Sequence, residues 1–370
     1  MVEPTPHRVA ILGAGIGEKH LAGFLQLTDR FNVRTICDLD PGKAANLAGQ
    51  VPGCRVETDL EAVLAAPDID IVDICLPPHL HGPVAAKAFA AGMHVICEKP
   101  IAGSVLEADG IAAAAAAAGR MFFPVFQYRY GRALYQLTAL VDSGLAGRPL
   151  VATAETHWNR GADYYAVPWR GKWATERGGA ILGHAIHNHD LVAQYFGHIT
   201  SVCAMVDTRV NPIETEDCAA LAMTTQSGGL VTSSVTLGSA RDETRFRLVF
   251  EHLTAESARE PYTPGEGEWR FTARDPERQA EIDRVVARSK GEAAARPEGF
   301  AGLFDAIASS LAGMDAGLVD MSSGIRSIEL VAAIYLSART AQTVSLPLDR
   351  SHPICATWMP DPAGGDPDDR

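Results

Sequence analysis

Val9-Ala10-Ile11-Leu12-Gly13-Ala14-Gly15-Ile16-Gly17 runs from a short apolar stretch into a cluster of glycines and on into the helix-forming residues that start at Glu18. A strand that turns through glycines into a helix has a mechanism. The glycines permit the tight turn, and backbone N–H groups at the positive end of the helix can approach a pyrophosphate. Gly17 follows Gly15 by two residues where the usual dinucleotide pattern has three, so the loop alone is a weak signal. Asp38 strengthens it. This acid ends the next apolar run, about 20 residues on, where a carboxylate can accept both ribose hydroxyls. An acid there also repels a 2′-phosphate, so the expected cofactor is NAD(H) in preference to NADP(H). The rival reading for the Asp38/Asp40 pair is a helix N-cap before Pro41. Asp40 is therefore assigned to the cap and Asp38 to the ribose.

Outward from this loop, residues 8 to about 124 alternate short β-branched runs with amphipathic stretches, the pattern of βαβ units and a parallel sheet. Strands are expected at Arg8–Gly13, Val33–Asp38, Arg55–Glu57, Ile69–Leu76, His94–Cys97 and Met121–Phe126. Helices are expected at Glu18–Leu27, Gly42–Ala48, Asp59–Ala65, Pro83–Ala91 and Ser104–Ala118. One further helix, Tyr130–Ser143, closes at Gly144-Leu-Ala-Gly-Arg-Pro. The texture then changes. Leu150–Trp158, Ser201–Arg209, Cys218–Thr225, Gly229–Thr236 and Arg245–Glu251 are β-rich runs spaced like an antiparallel sheet. Gly324–Thr340 carries a helical apolar stripe. The expected fold is α/β: a dinucleotide-binding domain over residues 1–125 and an α+β domain over 126–350. Residues 351–370, rich in Pro, Gly and Asp, are expected to form a disordered tail.

The 370 residues, 47% hydrophobic and 21% charged, describe a globular protein. A net charge of −13 with no Lys/Arg cluster disfavours nucleic acid and anionic membrane surfaces as partners. Neither a basic leader followed by a long apolar run nor a stretch of transmembrane length is present, which points to a cytoplasmic protein. Seven cysteines without a Cys-x-x-Cys pair suggest neither a disulfide framework nor a thiolate metal site. Cys37, Cys75 and Cys97 sit in apolar runs as core residues.

Two further stretches carry chemistry. Glu98-Lys99-Pro100 ends the strand-like run His94–Cys97. A lysine at the C-terminal end of a parallel strand faces the crevice in which such sheets bind ligands, although an isolated Glu-Lys pair reads most simply as solvated surface. The second is Gly178-Gly179-Ala180-Ile181-Leu182-Gly183-His184-Ala185-Ile186-His187-Asn188-His189-Asp190. On a helix at about 100° per residue, His184, His187 and Asp190 form one stripe while His189 points elsewhere. A three-histidine metal site is therefore not expected. A general acid/base histidine is compatible with the stripe. So is a set of core histidines satisfying buried polar groups.

Together with Pro77–His81, Gln127-Tyr-Arg and Glu216-Asp217, these pieces resemble the Gfo/Idh/MocA oxidoreductase family over residues 8 to 348. The resemblance implies a Rossmann domain followed by a large open, mainly antiparallel sheet through which homodimers or homotetramers form. It implies that Lys99 and His187 are catalytic, flanking the nicotinamide and the reacting carbon of a sugar, cyclitol or related polyol. Gly13, Gly15, Ile16, Gly17, Asp38, Leu76, Pro77, His81, Glu98 and Lys99 would contact the cofactor. Lys99, Arg129, Trp169, Arg170, His184 and His187 would contact the substrate, with Tyr164, Tyr165 and Trp173 in the same aromatic and basic loop. Family members often carry an aspartate four residues before the catalytic histidine; Gly183 stands there in this chain, with His184 as a possible replacement. The expected activity is an NAD(H)-dependent dehydrogenase or reductase. An NAD-assisted hydrolase or lyase with transient sugar oxidation, and a non-catalytic NAD-sensing module, are the other readings.

Overall fold

The computed structural model describes residues 5–314 and 317–360. The first sheet has six parallel strands: β1 (His7–Leu12), β2 (Phe31–Cys37), β3 (Arg55–Glu57), β4 (Ile71–Ile74), β5 (His94–Cys97) and β6 (Phe122–Pro124), in the order β3-β2-β1-β4-β5-β6. Val9, Ala10, Ile11, Ile71, Val72, Ile74, Val95 and Ile96 have no solvent exposure. Helices cover both faces of the sheet, which is why these strands read as unbroken apolar runs. The strand order reverses between β1 and β4, opening a crevice beyond their C-terminal ends.

Local signals acted as the sequence suggested. Asp40 accepts hydrogen bonds from the amides of Gly42 (2.9 Å) and Lys43 (3.2 Å) and starts the helix Pro41–Ala48. Ser104 Oγ caps Val105–Ala118, which ends at Gly119 with φ +61°.

The second sheet has eight strands: β7 (Pro149–Asn159), β8 (Ile199–Asp207), β9 (Cys218–Thr225), β10 (Leu230–Thr236), β11 (Gly238–Phe250), β12 (Leu253–Glu256), β13 (Arg270–Ala273) and β14 (Val344–Ser345). Their order is β13-β12-β11-β7-β10-β9-β8-β14. The expected antiparallel arrangement needs one correction, because β10 runs parallel to β7 at the centre. Side-chain alternation has a period of two in either direction and carries no information about strand polarity. Along β7, Ala152, Ala154, Thr156 and Trp158 are buried against the helical layer. On the opposite face Val151, Met205 and Leu230 are exposed.

Two other expectations are corrected. The stretch Ile181–Ala185 is a π-helical turn, and the regular α-helix begins only at Ile186 and runs to Phe196. The tail is ordered through residue 360: Ile354, Cys355 and Trp358 are buried, and Trp358 Nε1 donates to the carbonyl of Arg177 at 2.6 Å. Proline and aspartate dominate its composition, but three apolar residues are enough to anchor it; the rest, 361–370, lies outside the described residues. After residue 298 the chain touches both domains: helix Gly299–Leu311 packs on Gly17–Phe24, with Phe304 stacked on Phe24 at 3.9 Å, and helix Met321–Thr340 lies between β8 of the second sheet and Val105–Ala118 with β6 of the first. No helix among the described residues is long and apolar enough to cross a membrane.

Candidate active site

The glycine loop lies at the open end of β1. Gly13 has φ +100°, and a Cβ there would lie 2.4 Å from the carbonyl oxygen of Cys75 after β4. Only glycine fits. Gly13→Ala is expected to cost at least ~1–3 kcal/mol in thermal unfolding, through combined strain and overlap, and to weaken dinucleotide binding in calorimetry. A Cβ on Gly15 would meet nothing within 4 Å, so space above the loop is open to a diphosphate. Asp38 stands at the side of this space. Its Oδ2 accepts from Ala14 N at 2.7 Å and its Oδ1 from Asp40 N at 2.8 Å, which fixes the carboxylate beside the loop. Ile16 is exposed, and Leu76 and Pro77 are part-exposed just past β4. Loop, acid and open space together fit a dinucleotide.

Two residues assigned to the cofactor are committed elsewhere. His81 is buried, and its ring nitrogens lie 2.6 and 2.7 Å from the carbonyls of Pro100 and Leu76, so it braces the loops behind the crevice. Glu98 faces the fully buried His20, whose Nε2 donates to it at 3.1 Å while Nδ1 donates to Asp73 at 2.9 Å. Burial alone would lower the pKa of His20, but Asp73 and Cys75 raise it well above the ordinary value. The imidazolium therefore ties Gly17–Phe24 to β4 and to the residue preceding Lys99.

Lys99 stands two residues beyond the end of β5, and its Nζ donates to the carbonyl of Gly183 at 2.7 Å. That bond spans the two domains. It brings the ammonium to the turn immediately before His187, a residue only 3% exposed. The His187 ring stacks on Tyr128 at 4.4 Å and meets the edge of Phe126 at 5.8 Å, while its Nδ1 has no hydrogen-bond partner among the described residues. Burial first, then the charge of Lys99 and His184, pushes the His187 pKa well below its ordinary value. Burial likewise lowers that of Lys99, opposed by Glu98 and Glu176.

Both ring nitrogens of His184 are buried without partners among the described residues, and the ring lies 5.0 Å from Trp158 and 5.7 Å from Tyr164. Its pKa too is driven well below the ordinary value, by burial and by Lys99, Arg160 and Arg170. As a neutral imidazole it supplies no substitute for a carboxylate's charge. His189 bonds Ser233 at 3.0 Å and belongs to the packing against the sheet.

The aromatic loop delivers Arg170, whose guanidinium lies 3.8 Å from the ring of Tyr164 and 4.6 Å from that of Trp169, with Nε unpartnered among the described residues. Arg129 has a partner of its own. It is held by Asp190 in a two-pronged ion pair, Nε to Oδ2 at 2.7 Å and Nη2 to Oδ1 at 2.5 Å, and lines a separate cavity of about 710 Å³ on another face of the histidine helix. A guanidinium held in this way anchors the helix that carries Asp190.

Sequence reading missed Trp158, Tyr128, Arg160 and Glu176. Arg160 sits over Trp158, Tyr164 and Tyr262 at 4.9, 5.3 and 5.6 Å. Trp158 was legible as the last inward residue of β7. Tyr128 lay inside the quoted Gln127-Tyr-Arg, whereas no local pattern marks Arg160 or Glu176.

The chain matches known proteins along most of its length. The model described as the oxidoreductase family with an NAD-binding Rossmann fold, GFO/IDH/MocA, covers residues 7–126, and that family's C-terminal domain covers 134–256. An inositol 2-dehydrogenase of Rhodococcus erythropolis is 34% identical over 146 residues, 39% of this chain and 42% of that protein. The D-glucoside 3-dehydrogenase of Escherichia coli is 29% identical over 197 residues, 52% of this chain and 55% of that protein. The chain thus spans about half the length of these curated relatives. Among solved structures, the WlbA dehydrogenase from Bordetella pertussis in complex with NADH and UDP-GlcNAcA superposes with a TM-score of 0.81 at 28% identity, covering 94% of this chain and all of that one.

Proposed function

The chain belongs to the GFO/IDH/MocA family of oxidoreductases, and from that premise we propose that it moves hydride between NAD(H) and a secondary alcohol or ketone carbon of a sugar, cyclitol or related polyol. The observation that carries this reading is the Lys99 Nζ to Gly183 carbonyl bond, which gathers a cation, two neutral imidazoles and the mouth of the dinucleotide crevice at one place. When bound, the dinucleotide supplies the hydride acceptor, or in the reverse direction the donor.

The protein's own groups supply the rest. Oxidising an alcohol requires the hydroxyl proton to leave as hydride departs from carbon. His187, held neutral by burial and by Lys99, is ready to take that proton. The Lys99 ammonium stabilises the developing alkoxide charge in a part-buried cleft, where a fixed cation acts more strongly than in water. Tyr128 and Phe126 restrict the His187 ring. Trp158, Tyr164, Trp169 and Arg170 offer aromatic faces and N–H donors suited to a polyhydroxylated ring. The names of the inositol and glucoside relatives agree with that class.

Asp38 favours NAD(H) over NADP(H), since a second anion at its fixed carboxylate would be repelled. The exposed face of the second sheet, with Val151, Met205 and Leu230, is the proposed homo-oligomeric surface. A spectrophotometric screen of NAD reduction across cyclitols, hexoses, sugar acids and glycosides is expected to find NADH formation, with NADP a poorer acceptor and Asp38→Asn relaxing the discrimination. Substrate turnover without net NADH formation would replace this reading with transient oxidation. A natural preference for NADP would overturn the role of Asp38.

A further inference from the structure

Gly183 leaves a gap beside Lys99, and another residue's carboxylate borders it. A Cβ built on Gly183 would meet one group within 4 Å, Oε1 of Glu176 at 4.0 Å. Glu176 is the last residue of the short helix Trp173–Glu176 and is 6% exposed. Its Oε2 accepts a short hydrogen bond from the amide of Gly171, while Oε1 has no hydrogen-bond partner among the described residues. The Lys99 ammonium reaches the same residue from the other domain, on the Gly183 carbonyl. The loop carrying Glu176 is docked on the first domain nearby, where the His79 ring donates to the carbonyl of Thr175 at 3.2 Å.

We propose that Glu176 is a positioning residue, the counter-charge that holds the Lys99 ammonium in the cleft across the space Gly183 leaves open. The charged and titratable groups facing Lys99 are Glu98 from its own strand end, Arg170 and Glu176 from the aromatic loop, and His184 and His187 from the histidine helix. Glu98 acts on Lys99 most strongly, but its carboxylate is bonded to the His20 imidazolium and to the Lys99 amide. Arg170 opposes the lysine charge, and the two imidazoles are neutral. The free oxygen that balances Lys99 and Arg170 on the substrate side is therefore that of Glu176. Burial raises the Glu176 pKa, while the Gly171 amide, Arg170 and Lys99 act to keep it charged.

This inference rests on the reading of Lys99 as the cation of the reaction, and its test separates the two. Competitive acetylation with acetic anhydride, read by mass spectrometry over a pH series, gives the titration midpoint of Lys99 without any substrate. Glu176→Gln is expected to lower that midpoint by up to about one pH unit, since removing a nearby opposite charge disfavours the ammonium. Adding Gly183→Asp to Glu176→Gln is expected to restore most of it, because the aspartate returns a carboxylate to the same gap. An unmoved midpoint in Glu176→Gln, or no recovery in the double variant, overturns the proposal. Should Glu176→Gln fail to fold, Gly183→Asp alone must raise the midpoint, and no rise is equally fatal. NAD reduction by the natural protein over the polyol panel is measured in parallel. A shifted midpoint with no turnover removes the proposed function and leaves the pairing of Glu176 with Lys99. Turnover with an unmoved midpoint does the reverse.

Discussion

His187→Ala is expected to lower kcat by about 10²–10⁴-fold, the usual contribution of a positioned acid/base group, with NAD affinity near that of the natural protein and some loss of thermal stability from the cavity left against Tyr128 and Phe126. The ring makes no hydrogen bond through Nδ1 to any described residue, so its loss removes a reactive group without orphaning a buried partner. Lys99→Ala is expected to fall in the same range, with the loss again in kcat, because its cation is needed most where alkoxide charge develops. The sign of the pH dependence follows from the direction of the His187 shift. Oxidation needs the imidazole neutral, and its pKa lies well below 6.5. The acid limb of the oxidation profile should therefore lie below pH 6.5, with a flat rate from there to neutrality. Turnover that dies away already near pH 7, or a His187→Ala protein with near-normal kcat, would end the acid/base assignment.

His20→Gln is expected to destabilise the fold by about 3–5 kcal/mol, the cost of breaking a buried ion network by removing one partner. The variant leaves Asp73 and Glu98, both buried, without the cation that bridges them. It also removes the ring that Phe300 and Phe304 pack upon at 4.5 and 5.5 Å. Denaturant unfolding measures the loss. The His20 pKa is raised on folding. Its stabilisation is thus fully present below the unfolded value of about 6.5 and declines as pH rises through the higher folded value. The gap between natural and variant proteins should be widest on the acid side of that window and narrow in alkali. A gap that is constant with pH would show that packing alone, and not charge, explains His20.

Much of this was legible in order along the chain. The glycine loop with Asp38, the cap at Asp40, the alternation of apolar strands with helices and the arrival of Lys99 at a strand end are local patterns. Backbone geometry, capping and burial period act over a few residues, so the sequence displays them directly. Lys99 and His187 were identifiable from their motifs. Other features were not. The histidine stripe assumed an α-helix from Gly178 onward, and the π turn at Ile181–Ala185 changes where His184 sits relative to His187. Arg129 looked available until Asp190, 61 residues away, was seen to bind it. The tail looked disordered by composition, yet Trp358 is fully buried and bonded to the carbonyl of Arg177.

The sequence by itself determined the fold class, the family and the residue types that meet at the crevice, because periodicity, turn chemistry and motif spacing are properties of neighbours in the chain. Tertiary structure alone decided that β10 runs parallel to β7, that His81, Glu98 and Arg129 find distant protein partners, and that Glu176 faces the gap at Gly183. These depend on groups tens to hundreds of residues apart satisfying one another's charge and hydrogen bonds, and no local pattern encodes which distant partner a buried polar group will find.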